Sequence, residues 1–167
     1  MMNLYLLCGI ERSVFMSQSK ASGRKSVAGM GSIRKKEKVI NGKEVGLYIL
    51  KNASGNEVAV TNYGGTILSI MVPDKNGIVA NVIQGHDCIE DCINSPEPFL
   101  STLIGRYGNR IARGKFHLNG KEYNLAVNNG PNHLHGGPTG FHARVWDAEQ
   151  INTQTIVLRY TSAYYEE

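Results

Sequence analysis

Asn109, Arg110 and His135 are the residues of this chain whose types and spacing point most directly to chemistry. They stand in two short runs, Gly105-Arg106-Tyr107-Gly108-Asn109-Arg110-Ile111 and Asn132-His133-Leu134-His135-Gly136-Gly137. A guanidinium offers a rigid fork of donors, a side-chain amide both donates and accepts, and an imidazole does either according to its tautomer. Together they suit a polar, hydroxyl-rich ligand. Residues 115–125 lie between the runs and alternate on either side of Asn119-Gly120, the pattern of a β-hairpin closed by a tight primed turn. A hairpin brings its two ends together, so the spacing predicts that Asn109 and Arg110 lie near His135.

Other groupings of reactive side chains carry less. His133 and His135 alternate along the chain and would chelate a metal if both faced one way, but no third ligand stands beside them. Cys88 and Cys92 have no matching second pair and read as free thiols, buried or half-exposed. Asp87, Glu90 and Asp91 read as a solvated loop, and His86, His117 and His142 as structural or exposed. Arg106 and Arg113 read as solvated. Trp146 sits in an alternating run, where it either stacks on a ligand or fills half-buried space in a sheet, and the second reading is preferred.

The elements that must position the three residues are short and β-rich. Strands are predicted over 45–51, 57–62, 66–72, 79–84, 115–118, 122–125, 143–150 and 155–161. Turn chemistry separates them at Asn52-Ala53-Ser54-Gly55-Asn56, Tyr63-Gly64-Gly65, Pro73-Asp74-Lys75-Asn76-Gly77 and Asn119-Gly120. Short, regularly spaced strands predict an all-β antiparallel sandwich. Leu100, Leu103, Ile104, Tyr107 and Ile111 recur at helical spacing, although Gly105 and Gly108 limit any helix there to a turn or two. Gly64 and Gly65 are read first as a turn and second as a close backbone approach.

A chain of 167 residues has room for one domain with a real core. Its formal net charge of +4 is unevenly spread. Residues 1–38 hold eight Lys/Arg against two acids, whereas residues 39–167 hold ten against twelve. The basic excess therefore belongs to an arm, and the sheet-forming part has no bias toward nucleic acid. We expect a basic, disordered arm over 1–38 and the sandwich over 39–167. The apolar run at 4–10 is too short to span a bilayer and lacks a basic region before it. The Ser- and Arg/Lys-rich stretch behind it reads either as an organelle transit peptide or as an extension ahead of a start at Met30. Arg34-Lys35-Lys36-Glu37-Lys38 reads as a solvated tail. An odd count of three cysteines with no secretory pattern fits a reducing compartment. That places the chain in the cytoplasm, or in an organelle if the arm is a transit peptide.

Asn109-Arg110-Ile111, the hairpin, Asn128, Asn132, Leu134-His135-Gly136-Gly137 and Trp146 together resemble the aldose 1-epimerases, or galactose mutarotases. The similarity extends upstream through Asn62-Tyr63-Gly64-Gly65-Thr66 and Pro73-Asp74-Lys75-Asn76-Gly77. Several spaced motifs in one order are more specific than any single one. The resemblance implies a galactose mutarotase-like supersandwich. It also implies interconversion of the α and β anomers of hexoses such as galactose and glucose. Arg110 matches the family's substrate-contacting arginine, Asn109 its neighbour, and His135 the first of two pocket histidines, an auxiliary to the acid step. Ring opening and reclosure are proton transfers that a histidine and a carboxylate serve, so neither cofactor nor metal is implied. The implied partner is a small hexose, with no nucleic acid and no membrane.

One departure from the family matters. The resemblance places the general-acid histidine in a later Asn-His-Xaa-Tyr-Phe run and the general-base glutamate later still, whereas this sequence stops at Tyr164-Tyr165-Glu166-Glu167. The chain is therefore expected to be a truncated, N-terminal part of the catalytic domain, with the positioning half of the site and without its acid–base pair. The alternative reading is a non-catalytic sugar-binding or interaction fragment.

Overall fold

The computed structural model describes residues 2–7, 34–164 and 166. Its strands are β1 (Met2–Leu7), β2 (Arg34–Ile40), β3 (Lys43–Lys51), β4 (Glu57–Thr61), β5 (Ile67–Pro73) and β6 (Val79–Asn81). After a six-residue helix, α1 (Ile89–Asn94), come β7 (Arg110–Ile111), β8 (Lys115–Leu118), β9 (Lys121–Asn124), β10 (His133–Leu134), β11 (Asp147–Asn152) and β12 (Thr155–Tyr160). Eight of these twelve strands overlap the predicted runs, and β1, β2, β7 and β10 lie outside them.

β2 to β6 form a five-stranded antiparallel sheet in sequence order. β1, β12 and β11 form a second antiparallel sheet in that spatial order. Period-two alternation sends Tyr48 and Leu50 of β3 to one face and Val45, Leu47 and Ile49 to the other. Tyr48 and Leu50 lie opposite Val60 and Val58 of β4 and pack with Ile156 and Leu158 of β12, Phe141 and Trp146. This is the layer between the sheets. On the outer face, Val45, Ala59 and Leu68 pack with Ile89 and Cys92 of α1 and with Val145. The central strands are thus buried on both sides, and the fold is an all-β antiparallel sandwich.

Asn62 joins the layers. Its side chain accepts from the Gly46 amide at 2.9 Å and donates to the carbonyls of Glu44 at 3.0 Å and Trp146 at 2.9 Å. The Trp146 amide donates back to the Asn62 carbonyl at 2.9 Å. Satisfying those backbone groups inside the core removes a desolvation cost that each would otherwise carry.

Several expectations are corrected. The helical spacing between Leu100 and Ile111 does not produce a helix, because Ser101 and Asn109 take positive φ and Gly105 presses against the Phe141 ring. The helix is α1, which takes in Glu90 and Asp91 from the stretch read as a solvated loop. The strand expected from residue 143 begins at Asp147, since Phe141–Ala143 forms a 3-10 turn. Trp146 is fully buried rather than half-buried, with its ring 5.6 Å from Phe141 and 5.4 Å from Tyr160, so it is not free to stack on a ligand. Within the stretch expected as a disordered arm, β1 pairs with β12 and β2 with β3, and β2 runs across residue 38. Extended backbone next to an open sheet edge gains ladder hydrogen bonds that a solvated tail does not have. The transit-peptide-like stretch, Met30 and Cys8 lie outside the described residues.

Candidate functional site

The hairpin forms as predicted, with Asn119 and Gly120 both at positive φ, 51° and 75°, between β8 and β9. Its base is closed by the Leu125 amide donating to the Gly114 carbonyl at 2.7 Å. Immediately outside it, β7 pairs antiparallel with β10, Leu134 opposite Arg110 and His133 opposite Ile111. That ladder brings the two runs into contact.

Asn109 and His135 are the next pair out, and both adopt left-handed backbone, φ 62° and 54°. The His135 amide donates to the Asn109 carbonyl at 3.0 Å, and the Asn109 amide donates to His135 Nδ1 at 2.9 Å. Arg110 is exposed beside them; its Nε donates to Asn129 Oδ1 at 2.9 Å and its Nη1 to Asn109 Oδ1 at 3.3 Å. Gly136, at φ 87°, follows His135 so closely against the Gly105 backbone that any side chain there would meet the Gly105 carbonyl.

The environment sets the protonation of His135. Partial burial, and after it the Arg110 charge, hold the imidazole below its usual range, so it is neutral at pH 7. With Nδ1 accepting from Asn109, the ring hydrogen resides on Nε2, which becomes a donor. Phe99 flanks it edge-on, its ring 5.0 Å from His135 and 4.6 Å from His142. The arrangement combines a neutral imidazole donor, an exposed guanidinium and a half-buried aromatic side chain.

A family model described as Aldose 1-epimerase matches residues 46–167. The chain belongs to the aldose 1-epimerase family. Among its relatives, the galactose mutarotase of Bos taurus is 44% identical over 89 residues, covering 53% of this chain and 26% of that protein. The aldose 1-epimerase of Escherichia coli K12 is 34% identical over 122 residues, covering 73% of this chain and 35% of that protein. The solved aldose epimerase homologue from C. elegans superposes with a TM-score of 0.63 at 30% identity, covering 67% of this chain and 34% of the other. This epimerase-family chain therefore spans about a quarter to a third of the length of these relatives.

The remaining histidines of this epimerase-family chain separate by burial. His133 points into the core, 2% exposed, with Nδ1 2.8 Å from the Ala126 carbonyl, so it does not face outward with His135. His117 is exposed beside Glu122 at 3.6 Å. Among the described residues no cluster of three or more His, Cys, Asp or Glu gathers to hold a metal. Cys88 is exposed and Cys92 buried, both free thiols; burial, followed by the charges of Cys88 and Asp91, pushes Cys92 up to about 11.

Glu166 is fully engaged. Its carboxylate accepts from the Tyr160 hydroxyl, from Ser162 Oγ at 2.6 Å, from the Ala163 amide at 3.1 Å and from Arg144 at 2.9 Å. Burial alone would raise its pKa, but the Ser162 and Tyr160 hydrogen bonds and the Arg144 charge outweigh it and hold the carboxyl below its usual range. A carboxylate ionised and saturated in this way is a structural anchor, not a base poised for a substrate proton. Arg106, read as solvated, is exposed but tied to the same segment through Ser162 Oγ at 2.9 Å and the Ala163 carbonyl.

Phe99, Asn129 and His142 belong to this neighbourhood and were not picked out from the sequence as site residues. Asn128-Asn129 with Asn132 is a dense group of amides, and that density was the available signal for Asn129. Phe99 and His142 lie 36 and 7 positions from His135 in the sequence, and no local pattern links them to it.

Proposed function

We propose that this chain supplies the substrate-positioning part of an aldose 1-epimerase site, which binds a hexose such as galactose or glucose and serves the interconversion of its α and β anomers. The observation that carries this reading is the reciprocal Asn109–His135 pairing, which leaves a neutral Nε2–H donor beside the exposed Arg110. In this reading Nε2–H of His135 donates to a sugar oxygen near the ring and lowers the cost of charge separation as the ring opens. Arg110 donates to two hydroxyls and disfavours protonation of His135. Phe99 supplies the apolar wall against a sugar face. In this reading Asn109, Arg110 and His135 bind and orient the sugar, and His135 assists its ring opening.

Hexose titration of the chain, followed by histidine NMR, tests the reading. Binding that weakens at least tenfold in both Arg110→Ala and His135→Ala is expected; binding unchanged in either variant would remove that residue from the site. Sugar binding without turnover is the second reading, favoured by the saturated carboxylate of Glu166. Polarimetry of freshly dissolved α-D-galactose separates the two, because only an acid–base pair accelerates the decay of optical rotation. We further propose a cytoplasmic site of action, supported by the free thiols Cys88 and Cys92. No helix among the described residues is long and apolar enough to cross a membrane.

A further inference from the structure

We propose that Asn128 is the positioning residue for His135, a role that rests on the reading of His135 as a sugar ligand. β10 is only two residues long, and its ladder with β7 uses one edge. In an antiparallel pair, successive residues direct their N–H and C=O groups to opposite edges. His135 donates toward Asn109, so Leu134 presents its amide and carbonyl on the far side, where a third strand would be needed to pair them.

Asn128 takes the place of that strand. Its Oδ1 accepts from the Leu134 amide at 2.7 Å, and its Nδ2 donates to the Leu134 carbonyl at 3.0 Å. A side-chain amide is the chemical equivalent of a peptide group, with acceptor and donor side by side. The Asn128 backbone is itself fixed, its amide donating to the Asn132 carbonyl at 3.1 Å. Leu134 is therefore clamped between Arg110 on one edge and Asn128 on the other. The residue that follows, His135, is carried in left-handed backbone, which a β-carbon-bearing side chain adopts only when its surroundings impose it. The clamp supplies that constraint and delivers Nδ1 to the Asn109 amide. Asn128 bonds Leu134, acting on the ligand only through the orientation and tautomer of His135.

The test is NMR of the 167-residue chain with 15N-labelled histidine, in the wild type, Asn128→Ala and Asn128→Asp. Aspartate keeps an acceptor for the Leu134 amide but sets an oxygen against the Leu134 carbonyl, so it breaks half of the clamp at nearly constant shape. The wild type is expected to show His135 with a bare Nδ1 and a protonated Nε2. Both variants are expected to drift toward the tautomer mixture of free imidazole, with Trp146 fluorescence unchanged and hexose affinity about tenfold weaker. An unchanged His135 pattern in folded variants would overturn the proposal, because backbone pairing alone would then suffice. Loss of the fold in both variants would overturn it too, since Asn128 would be a general structural residue. A tautomer shift in a chain that binds no hexose would leave the clamp standing and remove the sugar reading instead.

Discussion

The backbone amide of Asn109 donates to Nδ1 of His135 across 2.9 Å while the His135 amide donates to the Asn109 carbonyl across 3.0 Å. Two residues 26 positions apart thus fix one another's conformation, and both pay for it in left-handed φ. Glycine at position 109 keeps the amide and relaxes the strain. Asn109→Gly is therefore expected to leave stability within about 1 kcal/mol, whereas Asn109→Val, β-branched at positive φ, is expected to lose about 1–3 kcal/mol. Urea unfolding of the two variants checks this, and equal midpoints would refute the strain argument.

Arg110 also tunes its neighbour. The imidazole of His135 is held below its ordinary range by burial first and the Arg110 charge second. Arg110→Ala is expected to raise the His135 pKa part of the way back, and Arg110→Lys to leave it close to wild type. A pH titration of the His135 Cε1–H resonance reads both. A pKa that fell in Arg110→Ala would reverse the sign of the assigned interaction.

His142 makes the fold sensitive to acid. It is 6% exposed, its Nδ1 has no hydrogen-bond partner among the described residues, and burial, with the charges of His135 and Arg144 after it, depresses its pKa. The unfolded chain, with an ordinary value near 6.5, takes up the proton first. Stability is thus full above about pH 6.5 and declines as the pH falls toward the depressed folded value. His135 contributes with the same sign, so the comparison is between the wild type and His142→Phe. That variant is expected to flatten the slope between pH 6.5 and 5 while changing stability little at pH 7.5, because it replaces an unpaired buried nitrogen with carbon of similar shape.

Glu166 gives the opposite residue type the same direction of pH dependence. Its carboxyl is depressed below the usual range, so its contribution is present above the unfolded value of about 4.3 and is lost as the pH falls through the folded one. Glu166→Gln removes the charge on the Arg144 bond and weakens the acceptors for Ser162 and Tyr160. A loss of about 1–2 kcal/mol at pH 7, shrinking toward pH 3, is expected in chemical denaturation. A loss independent of pH would mean that shape rather than charge anchors this segment.

Gly136 tests the closeness of the two runs. Ala at this position would place its β-carbon on the Gly105 carbonyl at a φ of 87°, with backbone rather than a flexible side chain in the way. Gly136→Ala is expected to cost about 2–4 kcal/mol and to detach His135 from Asn109. Gly77→Ala, also at positive φ but with nothing within 4 Å among the described residues, is expected to cost less. Thermal unfolding of the pair separates strain from collision.

Strand alternation, the Asn119-Gly120 turn and the closeness of Asn109 and Arg110 to His135 were determined by sequence alone. Each follows from local rules, namely a two-residue side-chain period, positive φ at a tight turn and the return of a hairpin to its start. Tertiary structure decided what those rules cannot reach. The tautomer of His135 depends on an amide 26 residues away, the saturation of Glu166 on Arg144 and Tyr160, and the burial of Trp146 on a second sheet. Ladder pairing for β1 likewise required distant β12, whereas β2 pairs with adjacent β3 across the turn at Asn41-Gly42. Local patterns specify which faces and turns a segment can form; hydrogen-bond partners and desolvation are fixed only when distant segments meet.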